Sequence, residues 1–251
     1  MADREAPPDA FGRTAREYEL GRPPWPEELL DRVSAQLELG QEAAVLDLGA
    51  GTGKLTRSLV PRFARVIAVE PDPAMLGVLE EIVREADARP GSGEAIPAED
   101  GEVDAVFSAE AFHWFASDES VAEIARVLRP RGALVLLWNI GIDDDDLGPE
   151  AEAVIGEMVE RGGAPGIGRV LRGDWRRPLE ERFEQLHETE VEREVAARRD
   201  EWIANMLSVS SIAHQPEEDR DAFAERLRHL IPADRMVVRR LRTVAYWTRL
   251  V

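Results

Sequence analysis

The sequence predicts an α/β fold: a mostly parallel sheet of seven strands with helices on both faces and an antiparallel closing strand. Three observations carry that prediction. Short, uninterrupted apolar runs alternate with helix-period segments as far as Asn139; the first run ends in a glycine-rich turn that opens a helix; and the second run ends in an acid, Glu70, roughly twenty residues on. Continuous rather than alternating hydrophobicity is what strands covered on both faces require.

Residues 1–24 are polar and proline-rich and read as an arm. They lead into Arg22-Pro23-Pro24-Trp25-Pro26, where each proline restricts itself and its predecessor. Leu29, Leu30, Val33 and Leu37 then recur at three- and four-residue spacing, predicting an amphipathic helix over 27–39 closed by Gly40. A strand at 43–48, the turn 49–53 and a helix at 55–63 open a βαβ unit. A strand at 65–69 and a helix at 73–86 follow, then a third strand near 88–95 weakened by Pro90, Gly91 and Gly93. A strand at 103–108, a helix at 118–128 and a strand at 133–138 complete the regular alternation.

Beyond Asn139 the pattern changes. An acidic run at 143–146 reads as a solvated loop, followed by a helix at 149–160 and a glycine-rich loop at 162–168. Residues 180–198 fit either helix or strand, 200–212 and 217–231 read as helices, and 244–250 as the closing strand. The predicted organisation is an arm and first helix at 1–40, a ligand-binding core at 41–140, a capping insertion with the remaining sheet elements at 141–240, and the closing strand at 241–251.

Composition narrows the function. With 251 residues, 44% apolar and 32% charged, the chain suits one globular domain. No cysteine is present, which excludes disulfides and thiolate metal sites, and His113, His187, His214 and His229 lack the spacing of a helical metal pair. A net charge of -19 opposes nucleic-acid binding. The longest apolar run, 133–138, is far short of the roughly 20 residues a membrane helix needs, and a cytoplasmic protein, monomer or homodimer, is expected.

The chemistry concentrates in Val45-Leu46-Asp47-Leu48-Gly49-Ala50-Gly51-Thr52-Gly53-Lys54-Leu55. Glycines at 49, 51 and 53 permit a tight turn and close ligand approach at the carboxyl end of the first strand, where open α/β sheets bind ligands. Glu70 can accept hydrogen bonds from both hydroxyls of a ribose. A dinucleotide-binding dehydrogenase shares these features, but its third glycine-like position is Lys54 here, and Asp47 would repel a pyrophosphate. Asp47 suits a cationic ligand instead.

The Asp47-Leu48-Gly49-Ala50-Gly51-Thr52-Gly53 segment closely resembles the first motif of class I S-adenosylmethionine-dependent methyltransferases. Residues 66–70 resemble their ribose-binding strand, Glu94-Ala95-Ile96-Pro97 and Gly101-Glu102-Val103-Asp104-Ala105-Val106 their adenine loop and fourth strand, and 123–132 the helix and turn before the fifth. Ala111-Phe112-His113-Trp114-Phe115, with Gly21-Arg22-Pro23, is similar to the small-molecule branch that includes trans-aconitate methyltransferases. The resemblance implies a Rossmann-like fold and S-adenosylmethionine as cofactor. It places Asp47, Gly49 and Gly51 around the methionine portion, Glu70 at the ribose, and Ser92, Gly93 and Glu94 beside the adenine, with Ala50, Gly53, Pro71 and Glu110 as further cofactor-binding residues. Ser92 departs from the acid common at that position in relatives, so Glu94 or the backbone is left to contact the adenine.

Methyl transfer needs the acceptor aligned with the methyl carbon, and a base only where the acceptor carries a proton. His113, just past the fourth strand, is the candidate base or else a wall residue. Tyr18, Arg22, Trp25, Trp114 and Asn139 are the candidate acceptor contacts, Arg22 because arginine grips carboxylates, which makes carboxylic acids the first acceptor class to test. A non-catalytic cofactor-binding regulator and an NAD-dependent oxidoreductase are the alternative readings.

Overall fold

The apolar runs form five parallel strands, β1 (Ala44–Leu48), β2 (Arg65–Glu70), β3 (Asp87–Pro90), β4 (Val103–Ala109) and β5 (Leu128–Gly141), in the computed structural model, which describes residues 14–142, 147–163 and 166–251. The acidic run 143–146 lies outside the described residues. Two further strands, β6 (His187–Arg198) and β7 (Met236–Arg249), complete a seven-stranded sheet in the order β3-β2-β1-β4-β5-β7-β6. β7 runs antiparallel to both β5 and β6, so the closing strand lies inside the sheet and β6 forms its edge.

Period-2 burial divides the sheet's side chains between two cores. Leu46, Leu48, Ile67, Val69, Val106, Leu134, Leu136 and Trp138 face α5 (Asp118–Val127) on one side. Val45, Val66, Ala105, Phe107, Val135 and Leu137 face α2 (Glu27–Gln36) and α3 (Thr56–Leu59) on the other. The helix α4 (Pro73–Ile82) starts at an Asp72 cap, whose carboxylate accepts from Ala74 N–H and Met75 N–H.

Segment 180–198, which sequence left between helix and strand, contributes β6. Its glutamates at 188, 190, 192 and 194 are exposed while Thr189, Val191, Arg193 and Val195 are half-buried, the alternation of an edge strand with one face against the protein. β7 is longer than predicted, beginning at Met236, because its first half pairs with β6 and its second half with both β5 and β6. The third strand is shorter than predicted and ends at Pro90, whose ring supplies no N–H to continue a ladder.

The remaining helices are α6 (Pro149–Gly162), α7 (Gly166–Arg172), α8 (Arg199–Leu207), α9 (Ser210–Ala213) and α10 (Glu217–Leu230). Ala151, Val154, Met158, Trp202, Ile203, Met206, Ile212, Phe223 and Leu227 form a separate apolar cluster from α6 and α8–α10. The arm forms a short helix, α1 (Ala15–Gly21), that packs on α8. A Cβ on Gly21 would lie 2.0 Å from the backbone nitrogen of Asn205, so only glycine admits this approach of α1 to α8.

Candidate active site

The glycine turn, the ends of β2 and β4 and the arm converge at the carboxyl edge of the sheet. Gly49, Gly51 and Gly53 all have positive φ, 72°, 58° and 85°. Gly49 and Ala50 donate their N–H groups to Val69 O at 2.9 and 3.0 Å, which fixes the turn against β2. Gly51 N–H donates to Glu70 Oε2 at 2.8 Å, and Asp72 N–H to Glu70 Oε1 at 2.9 Å. Each oxygen of Glu70 thus keeps one acceptor site after being oriented by the backbone. Burial raises its pKa, and these two hydrogen bonds oppose the rise.

Asp47 is fully buried within β1, paired through Oδ2 with the Thr56 hydroxyl at 2.7 Å, while its Oδ1 has no hydrogen-bond partner. Burial is the main reason its pKa rises to about 7; the Thr56 hydrogen bond opposes the rise and the nearby Glu70 charge adds to it. A buried carboxylate oxygen without a donor is costly by itself, and a cationic donor would satisfy it.

Gly93 explains the approach of the adenine-loop segment to the β4 exit: a Cβ there would lie 2.4 Å from the Phe115 ring. Ser92 and Ala95 exchange backbone hydrogen bonds across a tight turn, with Ser92 half-buried and Glu94 exposed at its tip. Pro71 is exposed between Glu70 and the Asp72 cap.

The arm closes over the turn. Glu19 accepts from the Thr52 hydroxyl at 2.8 Å and pairs with Lys54 at 3.3 Å and Arg57 at 2.8 Å. Tyr18 lies over Gly51, its Cε1 3.8 Å from where a Cβ would stand. Its pKa is pushed up to about 12 by burial, which Arg22 opposes and the charges of Glu110, Glu70 and Asp47 reinforce. Arg22 stacks on Tyr18 at 5.3 Å and donates to the Ser208 hydroxyl and carbonyl at 3.0 and 3.2 Å, linking the arm to the end of α8.

Two expected roles do not fit the positions observed. Trp25 is buried in the α2-side core with Leu30, at the N′ and N4 positions of a hydrophobic staple on α2, so it packs instead of lining the site. His113 is buried in a 3₁₀ turn (Phe112–Trp114), and its Nδ1 lies 3.1 Å from Trp138 Nε1. An indole N–H can only donate, so Nδ1 is the acceptor and the neutral ring carries its proton on Nε2. The lone pair a general base would use is already engaged. Trp114 is half-buried against His113, with ring centres 4.8 Å apart.

Glu110 and Asn139 meet as a pair. Glu110 Oε1 accepts from Asn139 N–H at 2.8 Å, and Asn139 Oδ1 accepts from the buried Thr243 hydroxyl at 2.6 Å. Glu19, Thr56, Ser208 and Thr243 escaped the sequence reading, and Thr52 stood in the motif without a role of its own. Thr56 sat beside that motif; Glu19, Ser208 and Thr243 are joined to the site by contacts between distant segments. Among the described residues no helix is long and apolar enough to cross a membrane, and no group of three or more His, Cys, Asp or Glu side chains could hold a metal ion.

Comparison with known proteins identifies the family. A family described as a methyltransferase domain matches residues 46–136. An uncharacterized methyltransferase of Mycobacterium tuberculosis is 38% identical over 222 residues, covering 88% of this chain and 85% of that protein. An uncharacterized methyltransferase-like protein of Schizosaccharomyces pombe is 41% identical over 145 residues, 57% of this chain and 56% of its own. Among solved structures, a candidate type II methyltransferase from Anaeromyxobacter dehalogenans superposes with a TM-score of 0.66 at 24% identity, over 91% of this chain and 97% of that one, a likeness of fold.

Proposed function

The chain belongs to the class I S-adenosylmethionine-dependent methyltransferases, and from that premise we propose that it methylates a small molecule bound between the carboxyl edge of the sheet and the helices α8–α10. The single observation that carries the cofactor assignment to these residues is the buried, unpartnered Oδ1 of Asp47 at the floor of the glycine turn, which calls for a cationic donor. Glu70, oriented by two backbone N–H groups, is set to accept from ribose hydroxyls, and Gly93 with Phe115 offers a flat wall for an adenine. When bound, the cofactor supplies a methyl group on a positively charged sulfur that leaves as a neutral thioether.

The chain's own task is alignment and exclusion of water. Tyr18 and Glu19 hold the arm over the turn, and Arg22 holds it to Ser208. With Arg22 committed to Ser208 and Asp47, Glu70 and Glu110 all bearing on Tyr18, the site favours a neutral or cationic acceptor over the carboxylic acid that a free arginine would grip. His113 serves as a wall.

Thermal unfolding with S-adenosylhomocysteine, S-adenosylmethionine and NAD tests the assignment. A ligand at 100 times its dissociation constant stabilises by about 2.7 kcal/mol, so the two sulfur nucleosides should raise the melting temperature and NAD should not. A rise with NAD alone, or with none of the three, overturns it.

A further inference from the structure

We propose that Glu110 is the proton acceptor of this site, and hence that the methyl acceptor is a hydroxyl or amine. The proposal rests on the small-molecule methyltransferase reading and extends it to the acceptor side. Glu110 is the first residue beyond β4 and has a φ of 55°, a left-handed conformation that a glutamate rarely adopts. Its own N–H donates to Leu137 O at 2.9 Å, which pins this turn of the backbone to β5. Strain of this kind persists only where the surroundings fix it, and here it projects a carboxylate from the ligand edge of the sheet.

A chain of hydrogen bonds sets the direction of that carboxylate. Thr243 in β7 donates to Asn139 Oδ1, which turns the Asn139 amide nitrogen the other way, and Asn139 donates to Glu110 from both its backbone and its side chain. The reverse amide orientation would set an amide oxygen against a carboxylate. Burial raises the pKa of Glu110, opposed by Arg22 and then by Asn139, a direction that strengthens a carboxylate as a base.

The other candidates are committed. On the reading above, the unpartnered oxygen of Asp47 and the remaining acceptor sites of Glu70 serve the cofactor, and the Nδ1 lone pair of His113 is taken by Trp138. As the acceptor's lone pair forms its bond to the methyl carbon, the carbon–sulfur bond breaks with its electrons on sulfur, and the acceptor's proton passes to a Glu110 oxygen and later to solvent. A carboxylate acceptor would need no such group.

The experiment compares wild type, Glu110→Gln and Thr243→Val. Binding of S-adenosylhomocysteine is measured by calorimetry, formation of S-adenosylhomocysteine is followed over a panel of small alcohols, phenols, amines and carboxylic acids, and the Glu110 carboxyl is titrated by carbon NMR, its signal identified by its loss in Glu110→Gln. We expect turnover in the hydroxyl or amine classes, about 100-fold slower in Glu110→Gln, with product affinity within threefold of wild type. Thr243→Val should shift the acidic limb of the pH–rate profile and the Glu110 midpoint together, a response that a merely structural threonine would not give. Turnover confined to carboxylic acids, undiminished turnover in Glu110→Gln, or a tenfold loss of product affinity in that variant overturns the proposal, the last by returning Glu110 to the cofactor. Where no panel compound reacts, the titration decides: an ordinary glutamate midpoint overturns the proposal, and a raised midpoint that moves in Thr243→Val sustains it. Failure of wild type to bind S-adenosylhomocysteine at all would instead count against the methyltransferase site itself.

Discussion

The two halves of the molecule solve the same problem, holding a polar group at a ligand edge, by different means. In the segment from β1 to β4 the site is local: Asp47, the glycine turn, Glu70 and Asp72 are placed by strand ends and the backbone immediately beside them. In the accessory half, Ser208 reaches Arg22 across 186 residues of sequence and Thr243 reaches Asn139 across 104. The difference teaches where each kind of information resides. A ligand common to many enzymes is held by a motif, while the shape around its changing partner comes from pairs that only folding brings together.

The sharpest way to break this comparison is to empty one core at a time. Trp138 and Trp202 are both fully buried, one in the sheet core and one in the accessory cluster. Trp138→Ala should cost about 3–5 kcal/mol in urea unfolding. Trp202→Ala should cost a similar amount within the same single transition; a separate early transition would show that the accessory helices melt alone and that the two halves are less coupled than their packing indicates.

Glu70→Ala should weaken S-adenosylhomocysteine binding by about 1.5–3 kcal/mol, measured by calorimetry. Ser208→Ala should leave that affinity nearly unchanged while altering acceptor turnover. Equal effects of the two would erase the division between halves.

The pH response sharpens the local half further. Because burial raises the pKa of Asp47 to about 7, the free protein holds that proton more tightly than the unfolded chain, and this term favours folding at low pH and is lost as pH rises from the ordinary carboxylate range through 7. The ammonium group of S-adenosylhomocysteine prefers the ionised form of Asp47, so the rise in melting temperature that this ligand causes should be larger above pH 7 than below it. In Asp47→Asn this dependence should flatten; an unchanged slope would move the titrating group elsewhere. The smallest effect is expected from Glu19→Ala, whose partly exposed ion pairs are worth about 1 kcal/mol or less, read as faster release of S-adenosylhomocysteine by stopped flow.

The same division decided what sequence made legible. Alternation of apolar runs and helices found β1, β2, β4 and β5 because both faces of those strands are covered and their residues are apolar throughout. It left β6 open because an edge strand buries one face only, and in β6 the exposed positions are charged and the half-buried ones mixed. Asp47, Glu70 and the glycines were visible as a spacing. Trp25 was misplaced because a proline-flanked aromatic reads alike whether it turns to a ligand or to a core, and His113 because no local pattern announces that Trp138 will take its nitrogen.

The contact of Gly21 with Asn205 carries one more consequence. With no side chain between the two backbones, α1 has no play against α8, and Glu19 on the same short helix is tied to the glycine turn. One seven-residue helix therefore ties the glycine turn to the accessory helices. Any substitution that shifts this helix is transmitted to the glycine turn and to α8 together.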